Sequence, residues 1–96
     1  MMNVRAKSES EVREMFLAQL KRHAKYWADQ EDITCRERCD GVIFSILNIF
    51  DGTTMLPAMD IVLRPHPDDK AHCQSEGLNW YEDGMIINSD CMLHEI

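Results

Sequence analysis

Residues 64–73 read RPHPDDKAHC, with two histidines, two aspartates and a cysteine in ten positions. Imidazole nitrogens, carboxylate oxygens and thiolates are the donors that divalent metals take. On a helix, Asp69, His72, Cys73 and Glu76 fall at offsets 0, 3, 4 and 7 and share one face, with His66 just before it. His66, Asp69, His72 and Cys73 are therefore a candidate metal set. A hydrolase built on His66, Asp68, Asp69 and His72 would use a carboxylate as general base on a metal-bound water. The spacing is neither HExxH nor paired CxxC. A plainer reading competes with it. Pro67 suits a first helical turn, Asp68 and Asp69 complement the positive end of a helix dipole, and Gly77 can stop the helix.

The other chemistry-bearing residues are more scattered. Cys35 and Cys39 stand at i, i+4 in the first turns of an expected helix, which is half a metal site at most. Cys35, near a helix start and beside Arg36, is a candidate for a lowered thiol pKa. With no secretion signal in MMNVRAKSESEV, the four cysteines Cys35, Cys39, Cys73 and Cys91 are expected to be free thiols. His94-Glu95 could form an acid–base pair, but at a terminus that is expected to fray. His23 reads as an ordinary helix residue. Trp80 and Tyr81, beside Asn79, Glu82 and Asp83, suit either a protein-binding anchor or a core anchor.

Charge narrows the partner. The net charge is −7, and residues 1–50 contribute none of it, with eight Lys/Arg against eight Asp/Glu. Residues 51–96 hold only Arg64 and Lys70 against nine acids. Such a field repels phosphate backbones, which excludes direct nucleic-acid binding, and attracts a basic protein surface. No apolar run is long enough for a membrane span, so a soluble, cytoplasmic chain is expected. An apolar fraction of 45% separates the sequence from disordered chains.

The elements that must position these residues can be read from caps and periodicity. Ser8-Glu9-Ser10-Glu11 is a capping box that opens a helix over 9–29, with Val12, Met15, Phe16, Leu20, Ala24 and Trp27 on one face. Thr34-Cys35-Arg36-Glu37 opens a second helix that stops at Asp51-Gly52. Its segment VIFSILNIF is apolar almost all round, as a core helix would be. Ala58–Arg64 reads as a strand ended by Pro65 and Pro67. HPDDKAHCQSEG reads as a short helix, and Asp83-Gly84 as the turn of a hairpin. Ser89-Asp90 would cap a terminal stub. Residues 1–96 thus form one domain, with 1–7 expected to be flexible. The expected fold is α+β: a helical hairpin packed on a small antiparallel sheet, with a short helix between strands.

Asp51-Gly52, Leu56-Pro57, Pro65-His66-Pro67-Asp68-Asp69-Lys70, Gly77-Leu78-Asn79-Trp80-Tyr81 and Leu93-His94-Glu95 together form a pattern. Over residues 38–95 it resembles a group of small uncharacterised bacterial proteins carried on prophages and mobile elements. The resemblance implies a genomic setting and no activity. The expected function is that of a non-enzymatic, acidic protein-binding accessory factor. In a prophage setting this would be an inhibitor of a host nucleic-acid machine such as a defence complex. Asp68, Asp69, Glu76, Glu82 and Asp83 would supply charge and Trp80 and Tyr81 the anchor, with no cofactor. A small metal-binding domain or metal-dependent hydrolase is the alternative, and a homodimer joined through apolar helix faces is a third expectation.

Overall fold

A computed structural model describes residues 4–96. Three helices appear among them: α1 (Glu9–Ala28), α2 (Cys35–Asp51) and α3 (Asp69–Ser75). Both capping boxes form. The Ser8 and Thr34 side chains accept from the amides of Glu11 and Glu37, whose carboxylates accept in return from the cap amides. Each box satisfies two of the four amides that a helix start leaves open. Ahead of α1, Arg5 pairs with Glu11 at 2.7 Å. Of residues 1–7, expected to be flexible, 1–3 lie outside the described residues.

The first two helices form an antiparallel hairpin. Gly41 makes room for the Trp27 ring, which a Cβ at that position would strike. Trp27 Nε1 donates to Ser45 Oγ at 2.9 Å. Phe16 and Phe50 meet at the other end of the pair, ring centroids 5.8 Å apart. Arg38 closes the connection by donating twice to the Gln30 carbonyl, at 2.7 and 3.1 Å. Gly52 ends α2 in the left-handed region, at φ 80°, with Ala58 Cβ only 2.8 Å from where its own Cβ would lie. Both the dihedral and the space require glycine there.

The expected α+β architecture is not what forms. No strand or sheet exists among the described residues. The only ladder-like element is a single antiparallel pairing of Val62 with Ile86. Backbone hydrogen bonds along 59–63 show why. The Met59 amide donates to the Phe50 carbonyl at the end of α2. The Met59 carbonyl and the Ile61 amide are both taken by one side chain, Asn88, at 2.7 and 2.8 Å. Only Ile61 and Leu63 are left to bond residues 84–87. A side chain therefore occupies groups that a neighbouring strand would have used. The expected hairpin about Asp83-Gly84 fails for the complementary reason, because Gly84, Met85 and Ile87 are bonded to 61–63. The terminal stub forms turns, with the Met92 amide on Asp90 Oδ1, and no helix.

The result is a slab of 53 × 50 × 22 Å. Its radius of gyration is 18.2 Å, against about 12–13 Å for a compact domain of this length. Among the described residues, only Ile49 and Leu56 are buried hydrophobic side chains. No helix among them is long and apolar enough to cross a membrane.

Candidate functional site

The segment 64–70 and the segment 81–83 are separate in the chain. The fold places them on two walls of one open cleft. Arg64, Pro65, His66, Pro67 and Lys70 line one side, and Tyr81, Glu82 and Asp83 the other, around a volume of about 620 Å³. That is within the size range of ligand and peptide clefts. The pairing of 61–63 with 84–87 sets the two walls opposite each other. Pro65 and Pro67 then stiffen the turn into α3.

The walls differ in charge. Arg64 and Lys70 are the only Lys/Arg residues of the second half, and both face this cleft. Lys70 Nζ lies 5.2 Å from the centroid of the Trp80 ring, within cation–π range. Trp80 Nε1 donates to Glu82 Oε1 at 3.2 Å, which fixes the ring on the acidic side. Tyr81 has no such tie and is 70% exposed. Leu78, Met85, Ile86 and Ile87, in the same stretch of chain, are exposed as well.

The candidate metal set is not assembled. No group of three or more His, Cys, Asp or Glu side chains is placed to hold a metal among the described residues. His66 Nδ1 accepts from the Asp68 amide at 3.1 Å and lies 3.9 Å from Asp68 Oδ2. Cys73 Sγ stands 3.9 Å from Asp69 Oδ2, one turn away on α3. His72 lies on the same short helix as Asp69 and Cys73, but its exposed side chain joins no metal-binding group with them or with His66. Asp68 sits at the cap position of α3 with helical dihedrals and makes no side-chain cap bond, so its carboxylate is exposed and unengaged by the helix. Glu76, which ends α3, is likewise exposed. All four cysteines are unpaired, Cys35 and Cys39 at the surface.

Sequence reasoning missed a second polar site. The Asp51 side chain is fully buried, and His94 reaches it from 43 residues away. Asp51 Oδ2 accepts from the His94 amide at 2.8 Å and from His94 Nδ1 at 2.6 Å. Burial pushes the Asp51 carboxyl up, but the His94 ring and amide outweigh it and hold the pKa below its ordinary value of 3.8. Asp51 Oδ1 has no hydrogen-bond partner among the described residues. His94 therefore pairs with Asp51 rather than with Glu95, and the chain end is fastened where fraying was expected. The signal was present in the sequence: a carboxylate in the last turn of a helix opposes the dipole and needs a donor.

No family model matches the chain, and neither a curated protein nor a solved structure matches it. The resemblance to prophage-borne proteins rests on the quoted residues alone.

Proposed function

We propose that the protein is a non-enzymatic, acidic protein-binding factor whose contact surface is the cleft between 64–70 and 81–83. The observation that supports it is the exposed ridge of Leu78, Trp80 and Tyr81 beside Glu82 and Asp83. Large apolar side chains left exposed side by side in a small protein mark an interaction surface. Aromatics ringed by charge are the usual composition of a binding hot spot. Tyr81 is the anchor, and Trp80, held by Glu82 and Lys70, is the wall against which the partner packs. Asp68, Asp69, Glu76, Glu82 and Asp83 attract a basic partner, of the kind whose surface ordinarily meets nucleic-acid phosphates. A prophage-borne inhibitor of a host nucleic-acid machine would have this form.

The experiment is capture of the partner by crosslinking at Tyr81, followed by calorimetric titration of the purified pair. Binding should weaken at least tenfold between low and high salt, as exposed charge pairs are screened. Tyr81→Ala should weaken it by about 30-fold, the effect of losing an anchor worth about 2 kcal/mol. An affinity indifferent to both changes overturns the reading.

A further inference from the structure

Helix α2 carries two apolar faces, and α1 covers one of them. Gly41, Ser45 and Ile49, at i, i+4 and i+8, are buried on the α1 side. Ile43, Ile46 and Leu47 lie at offsets 0, 3 and 4 on the other side, whereas Phe50 packs on Phe16 of α1. Of the outer three, Ile43 is 48% exposed and the other two are only part-buried, and the neighbouring Phe44 is 45% exposed. One packing partner needs one apolar stripe, and a second stripe calls for a second layer.

The area points the same way. The chain exposes 7909 Å². A compact monomer of 11.2 kDa exposes roughly 5,700 Å². The excess, roughly 2,200 Å², falls within the range that each subunit of an obligate homodimer buries.

Charge selects the occupant. The acidic half would repel a copy of itself. The half that contains α1 and α2 has eight positive and eight negative side chains and repels nothing. We infer that a second copy of the chain covers the outer face of α2, helix against helix about a two-fold axis, with Ile43 at the contact. This leaves the cleft between 64–70 and 81–83 of each copy free, so the dimer presents two equivalent partner sites.

Sedimentation equilibrium of the full chain between 1 and 100 µM tests this. The expected mass is twice 11.2 kDa, falling to the monomer mass in Ile43→Glu with helical circular dichroism retained. Ile43→Ser is the milder variant should the charge disturb folding, and it should weaken the dimer at least tenfold. Tyr81→Ala should leave the mass unchanged, which separates this contact from the partner site. A wild-type monomer at 100 µM overturns the inference and leaves the face to a different protein. A dimer that survives both Ile43 variants overturns it too, because the contact is then elsewhere.

Discussion

Asn88→Ala tests the feature that replaces a sheet in this fold. Asn88 is 1% exposed. Its Oδ1 accepts from the Ile61 amide at 2.8 Å, and its Nδ2 donates to the Met59 carbonyl at 2.7 Å. Truncation leaves one donor and one acceptor without a partner in a site with little water. Each such loss costs about 1–3 kcal/mol, and part-buried groups fall at the lower end. The sum is about 2–4 kcal/mol, out of about 5–14 kcal/mol for a chain of this length. With a urea slope of about 1.5 kcal/mol/M, the midpoint should fall by about 1.3–2.7 M, and Tm by about 10 °C or more. Urea titration followed by tryptophan fluorescence, at one protein concentration, measures it. Asn79→Ala, at an exposed position, is the control and should stay within about 0.5 kcal/mol of wild type. A loss at Asn88 no larger than at Asn79 would refute the bridging role and with it the explanation for the missing strand. Because Asn88 also follows the pairing of 84–87 with 61–63, its loss should loosen the cleft, and partner binding should weaken in the same variant.

Two further perturbations probe the helical half. Asp51, with its pKa depressed in the folded state, contributes stability that is present above its ordinary value of 3.8 and is lost as pH falls through the lowered one. Wild type should therefore be more stable than Asp51→Asn at pH 7, and the gap should close below pH 4; a gap constant from pH 7 to 3, by urea midpoint, would contradict the pairing with His94. Gly41→Ala sets a methyl group against the Trp27 ring. Overpacking of about 1–3 kcal/mol exceeds the gain of up to about 1 kcal/mol from replacing a helical glycine, so the variant should be less stable, with a red-shifted tryptophan emission.

Those parts of the fold that depend on neighbours in sequence were legible. The capping boxes at Ser8 and Thr34 and the glycine stop at Gly52 are local devices, and each formed as spaced. The second half was not legible, because its backbone partners are remote. Ile61, Val62 and Leu63 have strand propensity whether an amide meets another strand or an asparagine side chain 27 residues on. Propensity registers extension and not the identity of the partner. The residues of the cleft were all named from sequence, but as two unrelated groups, since nothing local to 64–70 refers to 81–83. The candidate metal donors of RPHPDDKAHC stand apart among the described residues. His66 lies outside the short helix and turns to the Asp68 amide, so the four donors never converge.

The bond between Asp51 and His94 also bears on how the chain is made. During synthesis α2 is complete long before His94 exists. The 43 residues from Gly52 through His94 take about 2–9 s at ordinary elongation rates. For that interval the Asp51 carboxylate sits at the unfavourable end of a finished helix and must stay hydrated. The seal over α2 can close only after His94 has left the ribosome, so the helical hairpin and the segment that carries His94 mature in separate stages. An insertion between α2 and His94 would prolong that interval, whereas one ahead of the α1 cap would not.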